Sequence, residues 1–271
     1  MNNDQYPLVS VLFITYKRFD LLEQSLRRFQ ENTDYPNLEV VIADDGSGAE
    51  TQRRIRSLPA DVFALSPKNR GLGANNNNGL KHCTGKYILM IQDDCVCAGP
   101  SDYLKNTIQV MEANPNVGIV NYCGAPHPLD KQKALAGSSE PCYIAPRPYE
   151  DGKKEYFLYT DQPHVVSRAA LQHVGYYREL RDMVECEEDY NRRWRDQTCF
   201  ATAVFPPYYK RVYVHEGAAQ SFRTSLFRYR VDAFLMPLAG FFKRNCSPLY
   251  KAGRATIRAA ASTLEKMRIV R

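Results

Sequence analysis

The chain has 271 residues, a formal net charge of +6, 44% hydrophobic residues and 24% charged residues. These values are ordinary for a folded soluble protein with one large domain, or one domain and a small appendage. No apolar run approaches the roughly 20 residues that a membrane-spanning helix needs. Residues 1–7 lack the basic segment and the apolar core of a secretory signal, so the sequence predicts a cytoplasmic protein.

The eight cysteines are scattered along the chain, and none of their spacings is typical of a structural zinc site. We expect free thiols, as in a reducing compartment. The positive charge is concentrated near the C-terminus. Residues 221–271 hold eleven Lys/Arg against two acids, a net charge of +9, so the rest of the chain carries −3 of the total of +6. The main part of the chain and its C-terminal segment therefore need separate explanations.

Strands and helices alternate through the first hundred residues. Buried strands with helices between them predict right-handed crossovers and a mainly parallel sheet. Residues 86–92 are the strongest strand, because Tyr87 to Ile91 form an unbroken apolar run. The predicted elements in order are a strand at 8–14, a helix from Phe19 to Phe29, a strand at 38–43, a helix ending near 57, a strand at 62–65, a Gly/Asn-rich turn at 69–79, a short helix and the strand at 86–92.

Polar side chains follow three of these strands. Thr15 and Tyr16 come after the first, Asp44 and Asp45 after the second, and Asp93 and Asp94 after the strand at 86–92. The carboxyl ends of parallel strands meet at one edge of a sheet, where ligands bind. Adjacent carboxylates there suit a hard cation that bridges to phosphate. The alternative is that these residues only form turns, for which Asp is a common residue.

The Gly/Asn-rich stretch at 69–79 matches neither of the common phosphate-binding motifs. It lacks the third glycine of a dinucleotide-binding fingerprint and the Gly-Lys-Ser/Thr of a P-loop. One interpretation is structural, in which consecutive asparagines are a poor helix start. The other is functional, with the backbone close to a ligand and side-chain amides facing a polar group.

Four segments together resemble the nucleotide-binding half of a family 2 glycosyltransferase, over about residues 8–100. They are Val9-Ser-Val-Leu-Phe-Ile-Thr-Tyr-Lys-Arg18, Val40-Val-Ile-Ala-Asp-Asp-Gly-Ser47, Asn69-Arg-Gly-Leu-Gly-Ala-Asn-Asn-Asn-Asn-Gly79 and Ile91-Gln-Asp-Asp94. The resemblance implies an α/β GT-A (Rossmann-like) fold with a mostly parallel central sheet flanked by helices. Gln92 stands where many relatives carry an acid, so this part of the motif is Gln-Asp-Asp.

The resemblance also implies roles for single residues. Thr15 and Tyr16 would line the nucleotide pocket, Asp44 or Asp45 would bond the base, and Asp93 would lie near the ribose. Asp94 would bind Mn²⁺ or Mg²⁺ on the diphosphate. The full set of nucleotide-sugar-binding residues expected on this basis is Thr15, Tyr16, Arg18, Asp44, Asp45, Asn69, Gly71, Asn77 and Asp93.

A helix at 102–113 and a strand at 117–122 continue the α/β pattern, and residues 124–163 lose periodicity, which predicts a loop on the acceptor side. Several acids follow between Glu185 and Trp194. Pairs four residues apart, such as Asp189 and Arg193, are typical of an exposed salt-bridged helix. The resemblance instead implies that Asp189 is the general base for the acceptor hydroxyl, with Glu188 and Glu187 as the alternates.

A strand at 199–205 precedes a segment at 212–217 that contains His215. A single histidine is more often structural, but the order of elements in GT-A enzymes makes His215 the second metal-ligand candidate. From residue 222 onward, basic and apolar residues predict helices. Two interpretations stay open for them, a peripheral contact with an anionic membrane and packing on the catalytic domain. Nucleic acid is a weaker choice, because no recognition motif accompanies the charge.

The sequence thus predicts a GT-A glycosyltransferase domain at 1–221 and a basic helical C-terminal extension at 222–271. The domain has a nucleotide-binding half at 1–100 and an acceptor half at 101–221. The resemblance implies inverting, metal-dependent transfer from a nucleotide sugar, with a UDP-sugar favoured, to a glycan or lipid-linked acceptor in polysaccharide or glycoconjugate biosynthesis. The alternatives are a catalytically degenerate binding protein and a sugar-1-phosphate nucleotidyltransferase. Oligomeric state is not predicted.

Overall fold

The computed structural model describes six stretches of the chain. They are residues 6–122, 136–137, 143–144, 158–180, 182–204 and 212–216. The predicted extension at 222–271 and most of the predicted acceptor loop at 124–163 lie outside the described residues. Within them, no helix is both long and apolar enough to cross a membrane.

The described residues form an α/β fold with an eight-stranded sheet, a two-stranded sheet and six helices. The strands are β1 (Val9–Thr15), β2 (Leu38–Asp44), β3 (Val62–Leu65), β4 (Tyr87–Gln92), β5 (Cys95–Cys97), β6 (Val117–Asn121), β7 (Tyr143–Ile144), β8 (His164–Ser167), β9 (Ala201–Val204) and β10 (Tyr213–His215). The helices are α1 (Phe19–Asn32), α2 (Ala49–Ile55), α3 (Leu72–Leu80), α4 (Tyr103–Ala113), α5 (Arg168–Val174) and α6 (Met183–Gln197).

The large sheet has the strand order β3-β2-β1-β4-β8-β6-β9-β7. Strands β3, β2, β1 and β4 are mutually parallel, and β6 is parallel to β9. β8 runs antiparallel to both of its neighbours, β4 and β6. The predicted mostly parallel central sheet is therefore confirmed, and its parallel half places the ends of β1, β2 and β4 at one edge.

Helices cover both faces of the sheet. Alternate residues of β1 point to opposite faces because the side-chain period of a strand is two. Val11 and Phe13 pack in a core cluster with α1 and α4, whereas Leu12 and Ile14 pack in a second cluster with residues of α3, α5 and α6. All seven residues of β1 are buried, as its mainly apolar sequence predicts for a strand covered on two sides.

The Gly/Asn-rich stretch differs from the prediction of a turn followed by a separate helix. Helix α3 begins at Leu72, directly after Gly71 with a φ of 95°, and the asparagines form its interior. Their amides donate to carbonyls from three strands: Asn75 to Ala43 (3.2 Å) and Thr15 (3.1 Å), and Asn78 to Ala64 (2.8 Å). These tertiary bonds override the weak helix propensity of asparagine.

Asn77 links α3 to the segment after α5. Its side-chain amide donates to the carbonyl of Tyr177 (2.9 Å), and its side-chain oxygen accepts from the N–H of the same residue (2.8 Å). Both ends of this buried side chain are thus used within the fold. Asn77 therefore has a structural role, and its predicted contact with the nucleotide sugar has no free polar atom in this arrangement to support it.

We expect Asn77→Ala to lower the free energy of unfolding by about 2–4 kcal/mol, because two buried backbone groups of Tyr177 would lose their partners. Urea unfolding followed by circular dichroism measures this change. The matched control is Asn116→Ala at an exposed side chain, for which we expect a change within about 0.5 kcal/mol. Equal effects of the two substitutions would contradict the structural role of Asn77.

Candidate active site

The carboxyl ends of β1 and β4 are joined by a network of charged and polar side chains. The hydroxyl of Thr15 donates to Asp93 (2.7 Å). The guanidinium of Arg18 bonds to Asp93 through Nε (3.1 Å) and to Asp94 through Nη1 (2.7 Å). Both carboxyl groups are buried, with residue exposures of 0% and 3%. Four residues that the resemblance assigned to the nucleotide-sugar and metal site therefore lie in contact.

Burial raises the pKa of Asp93 to about 6, and the adjacent charge of Asp94 acts in the same direction. The charge of Arg18 and the hydroxyl of Thr15 oppose this shift. The two adjacent carboxylates thus depend on a nearby cation, since a buried charge without a partner is costly. In the described residues, Arg18 supplies that positive charge.

Asp44 and Asp45, at the end of β2, hold the two loops beside them. Asp44 accepts from the N–H of Ser47 (2.9 Å) and from the amide of Gln52 (2.8 Å). Asp45 accepts from the N–H groups of Arg70 and Gly71, both at 2.8 Å, which fixes the start of α3.

The remaining predicted nucleotide-site residues are accessible: Tyr16 and Asn69 are exposed, and Gly71 is partly buried. Asp44 and Asp45 themselves are buried, with residue exposures of 0% and 3%.

Strand pairing brings His215 to Asp94. β10 pairs with β5 so that His215 lies opposite Cys95, and the N–H of Glu216 donates to the carbonyl of Asp94 (2.8 Å). The imidazole Nε2 of His215 is 3.5 Å from Oδ2 of Asp94. Ligand atoms of Asp94, Cys95 and His215 all lie within 4.8 Å of one another.

This cluster fits a divalent cation. It offers a carboxylate oxygen of the kind that Mn²⁺ and Mg²⁺ prefer, and an imidazole nitrogen that also binds first-row transition metals. The sequence predicted Asp94 and His215 for this role. Cys95 was missed, because only the pairing of β5 with β10 places it beside His215.

A second group of acids lies at the same edge of the sheet. Met90 in β4 pairs with His164 in the antiparallel strand β8, so residues just before His164 lie beyond the carboxyl end of β4. Asp161 is among them, and its N–H donates to Oε1 of Glu187 on α6 (3.0 Å). Glu187 is partly buried and Glu188 is exposed. Asp161 was not identified from the sequence, and it lies two residues before the end of the aperiodic stretch at 124–163.

Asp189 has a different environment. It is 3% exposed, and it pairs with Arg178 (3.0 Å), Arg192 (2.7 Å) and Arg193 (2.9 Å). Burial acts to raise its pKa, but hydrogen bonds from Arg192 and Arg193 outweigh burial and lower it. A carboxylate enclosed in this way is a poor proton acceptor, so the predicted general-base role of Asp189 is not retained. The salt-bridged interpretation of the helix applies to this residue.

The parallel sheet and its acidic strand ends define an α/β protein whose candidate site lies at the carboxyl ends of the strands. Residues 10–178 match the model of the family described as "Glycosyl transferase family 2". Because this match covers more than half of the chain, the chain belongs to glycosyltransferase family 2, as the sequence resemblance predicted.

Two solved structures share the fold. Mannosyltransferase PcManGT from Pyrobaculum calidifontis, in complex with GDP-Man and Mn²⁺, has a TM-score of 0.56 at 20% identity, covering 98% of this chain and 80% of that one. TarS 1-349 from S. aureus, in complex with UDP, has a TM-score of 0.54 at 19% identity, covering 76% of this chain and 59% of that one. The predicted GT-A fold is thereby confirmed.

Among curated proteins, the Campylobacter jejuni GalNAc(5)-diNAcBac-PP-undecaprenol beta-1,3-glucosyltransferase is 27% identical over 123 residues, covering 44% of this chain and 38% of the relative. The human Beta-1,4 N-acetylgalactosaminyltransferase 1 is 35% identical over 103 residues, covering 38% of this chain and 17% of the relative. The chain thus aligns with less than half the length of these relatives.

We expect Asp189→Asn to lower the free energy of unfolding by about 3 kcal/mol at pH 7, because the mostly buried Arg193 would lose its counter-charge. The pKa of Asp189 is lowered in the folded state, so its stabilising effect is present above the unfolded-state pKa of about 4 and is lost as pH falls through the folded-state pKa. The difference between wild type and variant should therefore shrink below about pH 4.

Urea unfolding at several pH values measures this difference. Glu185→Gln, an exposed acid on the same helix, is the charge-matched control and should stay within about 0.5 kcal/mol of wild type. Unchanged stability of Asp189→Asn at pH 7 would contradict the structural assignment.

Proposed function

We propose that this chain transfers a sugar from a nucleotide sugar, with a UDP-sugar favoured, to a hydroxyl of a glycan or lipid-linked acceptor, with inversion at the anomeric carbon. The observation that carries the proposal is the contact of Thr15 and Arg18 with Asp93 and Asp94 at the carboxyl edge of the sheet, beside His215. Ligands of open α/β sheets bind at this edge.

Relatives support the choice of donor and acceptor classes. The TarS structures hold UDP or UDP-GlcNAc, and PcManGT holds GDP-Man with Mn²⁺. The Campylobacter relative is named for a lipid-linked acceptor. The proposal extends these ligand classes to this chain and places its activity in polysaccharide or glycoconjugate biosynthesis. The predicted membrane contact through 222–271 stays a prediction, since that segment lies outside the described residues.

The donor half of the proposed site uses the β1, β2 and β4 ends. Asp44 or Asp45 would accept a hydrogen bond from the nucleotide's base, Asp93 would lie near the ribose, and Arg18 would face the diphosphate. Asp94 and His215 would hold Mn²⁺ or Mg²⁺, which supplies positive charge to the departing diphosphate when it is bound. Gly71 and Asn69 would lie where the backbone approaches the donor.

The acceptor half uses Glu187 as general base. An alcohol is a weak nucleophile at neutral pH and needs a positioned proton acceptor. Glu187 is partly accessible and lies beside Asp161, at the edge that β4 and β8 share. Glu187 was predicted from the sequence, with Glu188, as an alternate to Asp189 for the general base. The ion pairs of Asp189 support this choice. Asp189 pairs with three arginines, so of the two acids Glu187 is the more available to accept a proton.

A second candidate is a nucleotide-sugar-binding protein without turnover, which the replacement of an acid by Gln92 favours. The nucleotidyltransferase alternative predicts a Gly-x-Gly-x-Arg signature after β1. The residues there are Thr15-Tyr-Lys-Arg18, so this alternative has no support.

We expect Asp94→Asn and Glu187→Gln each to reduce nucleotide release by about 100-fold or more, because one loses a metal ligand and the other the base. The assay is a screen of UDP-, GDP- and dTDP-sugars with Mn²⁺. Glu50→Gln on α2, whose side chain pairs with Arg53 at the surface, is the control and should keep wild-type activity. Absence of release from every donor, together with tight nucleotide binding, would contradict turnover and favour the binding protein.

A further inference from the structure

Cys95 belongs to the candidate metal cluster, but the proposed function gives it no task. It begins β5, directly after Asp94, and it is 1% exposed. Its thiol donates to Oδ1 of Asp94, with 3.7 Å between the sulfur and the oxygen. Cys95 therefore presents a sulfur atom to the carboxyl group that we propose as a metal ligand.

The pairing of β5 with β10 brings an imidazole to the same sulfur. Cys95 lies directly opposite His215 in this antiparallel pair, and the side chains of directly opposite residues point to the same face of a sheet. Ligand atoms of Asp94, Cys95 and His215 all lie within 4.8 Å of one another. An oxygen, a sulfur and a nitrogen atom therefore converge at one point of the described structure.

The distances between these atoms suit ligands of one cation. Nε2 of His215 is 3.5 Å from Oδ2 of Asp94, and the sulfur of Cys95 is 3.7 Å from Oδ1. Metal–ligand bonds of about 2.0–2.3 Å at tetrahedral angles place two ligand atoms about 3.4–3.6 Å apart. The two measured distances are therefore compatible with a single cation bound by all three groups.

The cluster also leaves a route for a metal ion. Arg18 bonds to Oδ2 of Asp94, whereas the thiol of Cys95 meets Oδ1, so the guanidinium and the thiol contact different oxygens. The side chain of His215 is 35% exposed, so the cluster reaches solvent on that side. The alternative is a purely structural role, since Cys95 also packs in the core cluster that includes α1, as buried cysteines commonly do.

We propose that Cys95 is the third protein ligand of this metal site, and that its thiolate makes the site selective for transition metals over Mg²⁺. The use of Asp94 and His215 rests on the proposed function, whereas the addition of the thiolate rests on the contacts of Cys95. When the metal–sulfur bond forms, the S–H bond breaks and the thiol proton passes to water.

The ligand set determines which metals bind. Thiolate is a soft ligand that suits Zn²⁺, and imidazole suits Zn²⁺ and other first-row ions, whereas Mg²⁺ prefers oxygen ligands in octahedral geometry. For one set of ligands, affinity rises from Mn²⁺ to Co²⁺, and Zn²⁺ also binds more tightly than Mn²⁺. The thiolate thus favours Mn²⁺ over Mg²⁺ as the ion of the proposed function, and it makes Zn²⁺ a strong competitor for the same three ligands.

The direct test is an optical titration of the metal-free whole chain with Co²⁺, first alone and then with UDP, while its thiols are kept reduced. Cobalt bound to a thiolate gives a sulfur-to-cobalt charge-transfer band in the near ultraviolet, in addition to the visible bands of the bound ion. We expect this band in wild type and its loss in Cys95→Ser, which replaces the sulfur with oxygen. Cys199→Ser changes an exposed cysteine and is the matched control that should keep the band.

Absence of the charge-transfer band from wild type under both conditions, or its persistence in Cys95→Ser, would overturn the thiolate ligand. His215→Gln provides a second variant that leaves the buried Cys95 side chain in place. Because this variant removes the nitrogen ligand, the band should require a higher Co²⁺ concentration than in wild type. An unchanged titration of His215→Gln would assign the sulfur to another cysteine and would also contradict the proposal.

Metal selectivity has its own readout, the displacement of bound Mn²⁺ followed by electron paramagnetic resonance. We expect Zn²⁺ to displace Mn²⁺ at much lower concentrations than Mg²⁺ does, and Cys95→Ser to reduce the ratio of these concentrations by about 10-fold or more. An equal ratio in wild type and Cys95→Ser would refute the selectivity.

These measurements need no turnover, so they are separate from the proposed function. A chain that shows the Cys95-dependent band but releases no nucleotide from any donor would keep the thiolate ligand and contradict the proposed function. Nucleotide release with Mn²⁺, together with Co²⁺ binding that gives no charge-transfer band, would keep the proposed function and contradict the thiolate ligand.

Discussion

The structure depends on holding two adjacent carboxyl groups, Asp93 and Asp94, in a buried position at the end of β4. Like charges at neighbouring residues repel each other, and burial removes the water that would otherwise screen this repulsion and solvate the carboxylates. Arg18 offsets both terms by bonding to the two groups at once. Thr15 adds a hydroxyl donor from the end of β1. The bonds from Thr15 and Arg18 to the two carboxyl groups therefore tie the β1–α1 loop to the end of β4.

The second sheet brings a further ligand group to the same point. Two carboxylates and one guanidinium leave a net negative charge when both acids are ionised, which favours a further cation at this point. The pairing of β10 with β5 places His215 on the open side of Asp94. A site that is short of positive charge, and that is built from carboxylate and imidazole ligands, suits a metal ion and a diphosphate together.

Asp189 and Glu187 lie on the same helix, α6, but we assign the first a structural role and propose a chemical role for the second. Residues two apart on a helix point about 200° away from each other. Asp189 consequently faces arginines from α6 and from the segment after α5, and it serves as their counter-charge. Glu187 faces Asp161 and the edge of the sheet. The helix thus carries a structural ion-pair cluster and the proposed base within one turn.

Much of the donor half could be predicted from sequence, because buried apolar runs define β1, β2 and β4 and their polar ends must share one edge. The role of the asparagines in α3 could not, since their partners are carbonyls from three separate strands. Likewise, the run of acids at 187–189 does not show from sequence alone that Asp189 is the one that pairs with the arginines. The position of Asp161 could not be predicted either, because the stretch before β8 has no periodicity and only the β4–β8 register places it at this edge.

We propose that a metal-bound nucleoside diphosphate binds at the carboxyl edge beside Asp94. A crystal structure of the whole chain with UDP and Mn²⁺, with anomalous data collected at the manganese edge, tests this proposal. We expect a manganese peak within coordination distance, about 2.0–2.6 Å, of Asp94 and His215, with the diphosphate bound to the manganese and the uracil near Asp44 or Asp45. A nucleotide bound elsewhere, or a manganese peak away from Asp94, would contradict this arrangement.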